Sequence, residues 1–350
     1  MIDPAFLMPL LTLKSNGGGI VAMELARSMA KAEFKITILT SNYYGTSIIN
    51  LAENSNINFL IVPSFGGKYV SASLLILWGI VYSIKKKPIL LYTHIVTSFI
   101  PNFAAQRAIW VAQDIEYRFF NGMARSLFKR ILRRVSRVTD VMITSDWLGR
   151  YYRRIGANII FCHDIGPSKG AINYFLAHNT SISHKNNDVL LIAKYGAHKR
   201  GLESQALAKK LASTGLRVIL VNQMGDWESP SFANLRVVGS ISHGQMLEFL
   251  SNTKVLVNLS RFEGFGLVPL EALLVGCMVV STKTPSISKY RGNRLKMLNG
   301  SSLELHDVVE AVKVLISQSD NNPGVDFDNI FYLEDWAFNA AKSFKSQLRC

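Results

Sequence analysis

Cysteine is scarce in this chain, whose 350 residues include three: Cys162, Cys277 and Cys350. An odd number without metal-ligand spacing argues against both a closed disulfide framework and a zinc site. Two of the three fall in or beside apolar runs, where a thiol behaves as a small hydrophobe. The cysteines therefore fit a protein of the reducing cytosol.

Long apolar runs are missing as well. The nearest approach to a membrane span is Ala72–Ile84, followed by Lys85, Lys86 and Lys87. It falls short of the roughly 20 apolar residues that a spanning helix needs. We expect a buried helix whose lysines mark its C-terminal end. The N-terminal residues lack a basic start, a long apolar core and a small-residue cleavage site, so we expect no signal peptide.

Acidic residues are few relative to basic ones, with 24 Asp and Glu against 39 Lys and Arg and a net charge of +15. Such an imbalance indicates acidic partners, which can be phosphates, anionic lipid or nucleic acid. The total charge does not choose among them. No recognisable nucleic-acid-reading module and no aromatic-rich basic strand accompany the charge, so we expect no nucleic-acid partner.

The length exceeds what one hydrophobic core usually fills, and 49% of the residues are hydrophobic, enough for two cores. Apolar strand-like runs alternate with helical stretches, which is typical of α/β domains with parallel, doubly wound sheets. We predict a Rossmann-like domain at 1–168, a linker at 169–187, a second Rossmann-like domain at 188–325 and a final helix within 326–350. The predicted strands are Ala5–Leu10, Ile36–Thr40, Ile57–Val62, Ile89–Thr93, Ala108–Ala112, Val141–Thr144, Ile159–Phe161, Val189–Ala193, Val218–Asn222, Arg236–Val238, Val255–Leu259 and Met278–Ser281.

The most informative stretch is EGFGLVPLE, from Glu263 to Glu271, which follows a predicted strand and Ser260. The pattern predicts a glycine-rich turn and then a helix that begins at Pro269 and ends at Gly276. The backbone N–H groups at such a helix N-terminus attract phosphate and hydroxyl oxygens. Glu263 in the loop and Glu271 in the first helical turn would flank these donors, which suits a nucleotide sugar. A capped helix with two solvated carboxylates fits the same pattern.

Two glutamates separated by seven residues, with GFG between them, resemble the signature of the GT-B glycosyltransferases of family 4, also called group 1. The resemblance covers nearly the whole chain. It implies two Rossmann-like domains that face each other across a ligand cleft, with the final helix crossing back to the N-terminal domain. It also implies that Glu263 contacts the hydroxyls of the donor sugar and that Glu271 holds the ribose hydroxyls. The donor-binding backbone would be that of Gly264, Phe265, Gly266 and Leu267.

The segment KYGAHKRG, from Lys194 to Gly201, follows another predicted strand. The family usually has an Arg at the end of this strand and a Lys just before the glycine, and these cations neutralise the leaving diphosphate. Lys194 replaces the Arg, which keeps the charge but loses the planar fork that binds phosphate. Either Lys199 or Arg200 could be the second cation. A hydrated basic loop is the other interpretation.

Two further loops resemble donor-binding elements of the family. The glycines Gly17–Gly19 are predicted to form a turn before a helix from Ile20 to Lys31, where Gly18 and Gly19 would let the backbone approach a ligand. Residues Gly239–Ser242 (GSIS) follow a strand and precede a helix, so Ile241 and Ser242 would pass beside the nucleotide base. A tight turn without a ligand remains an alternative for the glycine segment.

In the first half, His94 and the segment Gln113–Glu116 (QDIE) end successive predicted strands. QDIE resembles the site of a subgroup that builds bacterial surface polysaccharides and includes rhamnosyltransferases, so His94 and Asp114 are candidate catalytic residues. His94 could equally be an ordinary hydrogen-bonded histidine at a strand end. Asp114 and Glu116 could form a metal-binding DxE, but cationic side chains already supply the charge of a divalent ion. We expect no metal and no other cofactor.

Beyond Arg125 itself, the segment Arg125–Arg137 places five basic side chains along one predicted helix, with apolar residues between them. A basic amphipathic helix of this kind can lie on an anionic membrane, with about 1 kcal/mol from each basic residue near the surface. A packed helix with a solvated cationic face is the other interpretation. The five basic residues are Lys129, Arg130, Arg133, Arg134 and Arg137.

The resemblance implies a cytoplasmic, retaining glycosyltransferase, peripheral at the inner face of the membrane, that moves a sugar from a nucleotide-diphosphate donor to a glycan or lipid-linked acceptor of the bacterial envelope. Two other classes stay open. Lys194 and Lys289 stand where relatives carry other residues, which fits a sugar-nucleotide-binding protein without turnover. The net charge alone would fit a nucleic-acid-binding protein.

Overall fold

The computed structural model describes two compact units, one formed by Met1–Ile165 with Phe331–Cys350 and the other by Gly166–Ile330. We call them the first and the second unit. The residues whose structure is described are 5–10, 17–41, 56–64, 67–170, 173, 185–196, 198–225, 227, 232–284, 287–290, 292–300, 303–318 and 332–347. Most of the predicted linker, and Asn16 before the glycines, lie outside these residues.

Each unit is built on one parallel sheet. The strands of the first unit are β1 Ala5–Pro9, β2 Lys35–Ser41, β3 Ile57–Val62, β4 Ile89–Tyr92, β5 Arg107–Ala112, β6 Asp140–Ile143 and β7 Asn158–Cys162. Those of the second unit are β8 Asn187–Ala193, β9 Val218–Asn222, β10 Leu235–Val238, β11 Thr253–Asn258, β12 Met278–Thr282 and β13 Leu295–Leu298. The strand orders are β3-β2-β1-β4-β5-β6-β7 and β10-β9-β8-β11-β12-β13.

The helices alternate with the strands. They are α1 Gly17–Lys31, α2 Lys68–Lys86, α3 Gly122–Val138, α4 Asp146–Arg154, α5 Gly201–Ser213, α6 His243–Ser251, α7 Leu267–Leu274, α8 Leu305–Ser317 and α9 Leu333–Gln347. Short 3-10 helices lie at Ile95–Phe99, Asn102–Ala104, Glu116–Phe119 and Ile287–Lys289.

The strands form because their apolar side chains are buried by helices on both faces, as a parallel sheet requires. In β9 and β12 every residue is buried. Residues of β8, β9, β11 and β12 share one core with α5 and α8. The prediction of two α/β domains, each with a parallel sheet, is confirmed.

The last helix belongs to the first unit. Its buried residues recur every three or four positions and include Leu333, Trp336 and Phe344. Trp336 donates its ring N–H to the carbonyl of Ile143 at 3.4 Å, and the ring of Phe344 lies 6.0 Å from that of Phe6. Two separate segments of the chain therefore form the first unit.

Three local predictions are wrong. The glycines do not form a turn before α1, because the helix already begins at Gly17. The edge strand β13 was missed, since four residues beside a turn give too short a pattern to recognise. Residues 72–84 do lie in a helix that ends in lysines, but α2 is only half buried, with Leu77, Trp78 and Ile84 exposed.

Candidate active site at the carboxyl edge of the second sheet

The order in which strands are added to the second sheet reverses at β8. From β8 the chain proceeds outward to β9 and β10, and then returns to the other side of β8 as β11. Ligands of open parallel sheets bind at such a switch point, outside the carboxyl ends of the strands. Lys194 directly follows β8, and Ser260–Glu263 follow β11. The fold thus brings two predicted motifs to the place where a ligand is expected.

An ion pair joins these two loops. The Nζ of Lys199 lies 2.7 Å from Oε2 of Glu263, and both side chains are about four-fifths buried, with 21% and 18% exposed. Burial raises the pKa of the Glu263 carboxyl, but Lys199, a hydrogen bond from Ser260 and the charge of Lys194 together hold it below its usual range. Glu263 is therefore ionised at neutral pH. Its pairing with Lys199 was not predicted.

Lys194 lies close to the same charges without contacting them. No hydrogen bond or ion pair joins its ammonium to another described residue. Burial and the neighbouring Lys199 lower its pKa, while Glu263 and Glu271 counteract this effect. An ammonium in such surroundings is available to an incoming anion.

The side chains of Lys199 and Arg200 bind different partners, although the two residues are adjacent in the sequence. Arg200 adopts the left-handed conformation, with φ of 51°, and its Nη2 donates to the carbonyl of Gly300 at 2.5 Å. Its side chain is 6% exposed, and its Nη1 has no hydrogen-bond partner among the residues that the structure describes. Of the two candidate cations, Lys199 is the one beside Glu263.

Gly201 has a steric reason to be glycine at the start of α5. A Cβ there would lie 2.2 Å from Sδ of Met224 and 2.5 Å from the carbonyl oxygen of Lys194. Only a residue without a side chain lets α5 begin this close to the end of β8. The loop that carries Lys199 is thereby fixed at both ends.

The glycine-rich loop continues directly into α7. Gly266 adopts φ of 78°, and the helix begins at Leu267, so the predicted start at Pro269 is two residues too late. Pro269 stands third in the helix, where its missing N–H would still lack an intrahelical partner. Glu271 consequently lies beyond the first turn.

Glu271 is 3% exposed and pairs with a residue that the sequence did not single out. The Nε2 of His243, the first residue of α6, lies 2.8 Å from Oε1 of Glu271. The hydrogen bond that His243 donates to Glu271 raises the pKa of His243 above its usual value, although burial opposes this shift. The sequence feature that could have identified His243 is its position directly after the predicted loop Gly239–Ser242.

In that loop, the hydroxyl and the N–H of Ser242 form hydrogen bonds at the start of α6. Ser242 is the N-cap of α6: its hydroxyl accepts from the N–H of Gln245 at 3.2 Å, and its own N–H donates to the Gln245 side chain at 2.9 Å. This reciprocal arrangement is a capping box. The backbone of Ile241 precedes it.

The remaining candidates lie in the first unit. Gly18 and Gly19 stand in the first turn of α1, and the carbonyl of Gly18 accepts from the Gln113 side chain at 3.2 Å. This bond joins the glycine segment to QDIE, two motifs that the sequence treats separately. Both lie at the carboxyl edge of the first sheet.

His94 pairs with Glu116. Its Nε2 lies 3.5 Å from Oε2 of Glu116, while its Nδ1 accepts from the N–H of Val96 at 3.2 Å. Glu116 is 4% exposed and also accepts from the N–H of Ile95 at 2.5 Å. Burial raises the pKa of Glu116 to about 8, although the bond from Ile95 lowers it.

The Oδ1 of Asp114 accepts from the N–H of Ile115 at 2.8 Å. Across the described ranges, no group of three or more His, Cys, Asp or Glu side chains could hold a metal ion.

Comparison with known proteins links the second unit to one family. Residues 232–322 match the family model described as glycosyl transferases group 1. The matched segment contains His243, Glu263 and Glu271. No curated protein sequence matches the chain.

Solved structures resemble the whole chain at low identity. Sucrose-phosphate synthase of Thermosynechococcus elongatus has a TM-score of 0.75 and 12% identity, covering 99% of both chains. HepE of Anabaena, solved in complex with UDP and glucose, has a TM-score of 0.65 and 13% identity, also covering 99% of both. WaaG, a glycosyltransferase involved in lipopolysaccharide biosynthesis, has a TM-score of 0.62 and 14% identity, covering 98% of this chain and 95% of that one. These likenesses show the GT-B fold, and the family match supports a glycosyltransferase.

Proposed function

We propose that the chain is a retaining glycosyltransferase that takes a sugar from a nucleotide-diphosphate donor. The observation that carries this proposal is the arrangement at the second sheet, where Glu263 and Glu271 flank the start of α7 and Lys199 contacts Glu263. HepE, a neighbour in fold, is described with UDP and glucose bound. That description supports a nucleotide-sugar donor for this chain.

We propose one role for each group, and the surroundings of the group support it. Glu271, held by His243, accepts the ribose hydroxyls, because two carboxylate oxygens offer more lone pairs than His243 uses. Glu263, ionised beside Lys199, accepts the hydroxyls of the donor sugar. The backbone of residues 264–267 and that of Ile241 and Ser242 line the nucleotide.

The leaving diphosphate is the centre of developing negative charge. Lys194 and Lys199, with Arg200 behind them, stabilise it electrostatically, and prearranged cations of this kind are among the largest contributions to catalysis. Lys194 is unpaired within the described part of the chain and so offers its charge without breaking a contact. We therefore propose that transfer needs no divalent cation.

Retention follows from attack on the front face of the sugar. No carboxylate is proposed as nucleophile; the acceptor hydroxyl attacks the anomeric carbon on the side from which the diphosphate departs, and the departing oxygen takes the hydroxyl proton. The first unit binds the acceptor, with His94 and Asp114 as its candidate polar contacts.

The acceptor is a glycan or a lipid-linked glycan of the bacterial cell envelope, made at the inner face of the cytoplasmic membrane. WaaG, which resembles this chain in fold, is described as acting in lipopolysaccharide biosynthesis. The basic helix α3 would then bring the enzyme to anionic lipid. Within the described ranges, no helix is both long and apolar enough to cross a bilayer.

A second candidate is a sugar-nucleotide-binding protein without turnover. The observation in its favour is Lys194, because an ammonium lacks the bidentate geometry with which Arg holds a phosphate. Such a protein would bind donors and leave them intact.

A screen of nucleoside diphosphates and their sugars for thermal stabilisation tests the binding site. A ligand at 100 times its Kd should add roughly 2.7 kcal/mol to the free energy of unfolding. The best donor is then incubated with the protein, and its hydrolysis or transfer is followed. Binding without turnover would favour the second candidate, and no stabilisation by any nucleotide would reject both.

A further inference from the structure

Helix α2 packs on the first sheet mostly with small residues. The buried positions recur every four residues along one side and are Ser71, Leu75, Gly79 and Ser83. A Cβ on Gly79 would lie 2.4 Å from Cδ1 of Ile100, so the helix approaches its neighbours closely. An ordinary surface helix buries most of its large apolar residues, whereas Leu75 is the one large apolar residue buried among the described side chains of α2.

The large apolar residues of α2 face outward. Trp78 is 47% exposed, Leu77 56% and Ile84 57%, and Val70 and Val81 are exposed as well. Val70, Leu77, Val81 and Ile84 recur at intervals of seven, four and three, so they form one continuous stripe. An exposed apolar stripe of this size marks an interaction surface.

The charged side chains that end α2 are positive. The exposed residues Lys85, Lys86 and Lys87 end the helix. Between Glu53 and Asp114 the sequence contains no acidic residue. A second copy of the same surface would therefore bring lysines toward the stripe without any acidic partner, whereas anionic lipid supplies the missing charge.

The neighbouring elements extend the surface. The 3-10 helix Ile95–Phe99 contacts both α2 and α3. The crossovers from β3 to β4 and from β5 to β6 run in the same direction along the sheet, so right-handed connections place α2 and α3 on one face. On that face Phe99 is 47% exposed, and the basic side chains of Arg130, Arg133 and Arg134 are exposed.

We propose that the outward stripe of α2 inserts into the interfacial region of an anionic membrane, with Lys85–Lys87 at the level of the lipid head groups. A helix with a large apolar face and a cationic end binds in this way, parallel to the bilayer surface. The basic side chains of α3 attract the first unit to the membrane, and the α2 stripe holds it there. The inference does not depend on the transfer reaction, because it concerns the surface of the first unit alone.

Vesicle flotation with the full chain tests the stripe. The triple variant Leu77→Ser, Val81→Ser and Ile84→Ser should lower partition into vesicles containing phosphatidylglycerol by about a hundredfold, since three exposed apolar side chains lose their contact with lipid. Lys85→Gln, Lys86→Gln and Lys87→Gln together should lower it by a similar factor, but only when the vesicles are anionic. The matched control changes Leu202 and Val314, exposed apolar residues of the second unit, to Ser and should leave partition unchanged.

The fluorescence of Trp78 reports directly whether the α2 stripe inserts into the membrane. Anionic vesicles should shift tryptophan emission to shorter wavelength, and brominated lipids should quench it. Trp78→Phe keeps the stripe apolar, so this variant should still float with the vesicles but lose most of the shift and the quenching. The measurement needs no variant that weakens binding.

Three results would overturn the proposal. In the first, the triple Ser variant binds vesicles as well as the wild type. In the second, emission shifts equally with and without Trp78. In the third, the lipid-free protein is a dimer in sedimentation and the triple Ser variant is a monomer, which would assign the stripe to a second copy.

Discussion

The ammonium of Lys199 lies 2.7 Å from a carboxylate oxygen of Glu263, and this ion pair links the loop after β8 to the loop after β11. The two residues are 64 positions apart and meet because β8 and β11 are neighbours in the sheet. The pair keeps Glu263 ionised and places a cation at the switch point of the sheet. A donor sugar and its diphosphate would meet both charges at once.

The first prediction concerns Glu271. Glu271→Gln should weaken binding of the free nucleoside diphosphate by roughly 1.5 to 3 kcal/mol, because a charge-assisted hydrogen bond is lost. Calorimetry measures the change. Glu263→Gln is the matched control, since it should lower sugar transfer and spare the free nucleotide. Equal nucleotide affinity in wild type and Glu271→Gln would contradict the ribose role.

The second prediction is a pH dependence of stability at His243. The bond with Glu271 raises the pKa of His243 in the folded protein above its unfolded value of about 6.5. The stabilisation is thus fully present below about pH 6.5 and is lost as the pH rises through the folded pKa. His243→Gln should be less stable than the wild type at acidic pH, and the difference should shrink as the pH rises.

Urea unfolding of both proteins across this range measures the effect. His306→Gln provides a control, since this exposed histidine has no carboxylate within salt-bridge distance among the described residues. A difference that stays constant with pH would show that His243 contributes through packing alone.

The third prediction tests whether cationic side chains or a metal ion stabilise the leaving diphosphate. Lys199→Ala should depress turnover by about a hundredfold or more, because a charge beside the leaving group is removed. Wild-type transfer should persist in EDTA. If EDTA abolished transfer and manganese restored it, Asp114 and Glu116 would become the candidate ligands instead.

Arg200→Ala is the informative comparison for Lys199→Ala. The guanidinium of Arg200 is buried and bound to Gly300, so its removal should lower the free energy of unfolding by about 1 to 3 kcal/mol. Lys199→Ala should lower turnover more than Arg200→Ala does. If Arg200→Ala lowered turnover more, Arg200 would become the cation that serves the diphosphate.

The fourth prediction concerns Glu116. Burial raises its pKa to about 8, so the folded protein retains a proton that the unfolded chain releases above about pH 4.3. Folding stability therefore falls as the pH rises from about 4.3 to about 8. Glu116→Gln stays neutral and can still accept from Ile95, so it should gain stability relative to the wild type over this window. Glu304→Gln, at an exposed position, should show no such trend.

The fifth prediction tests α3 on the membrane. Arg130→Ser, Arg133→Ser and Arg134→Ser together should abolish recruitment to anionic vesicles at low salt, because the attraction is electrostatic. Wild-type recruitment should fade as the Debye length shrinks from about 10 Å at 0.1 M salt to about 3 Å at 1 M. Arg137 is kept, since its Nε donates to the carbonyl of Ile155 at 2.9 Å and supports the fold.

Lys210→Ser, Lys296→Ser and Lys313→Ser remove the same charge from the second unit and serve as the control. Equal recovery of the wild type with neutral vesicles would show that charge is not what recruits the protein.

The sequence by itself determined the alternation of strands and helices and the place of the Glu263–Glu271 motif. Both depend on neighbours in the chain: apolar runs between turn residues predict buried strands, and glycines before an apolar run predict a helix start. The missed strand β13 and the shifted starts of α1 and α7 lie where these local patterns are shortest.

Only the tertiary structure decided which groups meet. Glu271 and His243 are 28 residues apart, and their contact depends on where α6 and α7 lie against the same sheet. Whether Lys199 or Arg200 lies beside Glu263 depended on the left-handed backbone at Arg200. The tertiary structure also decided which side of α2 faces outward. In a helix that is apolar on all sides, the sequence does not indicate which side the sheet will cover.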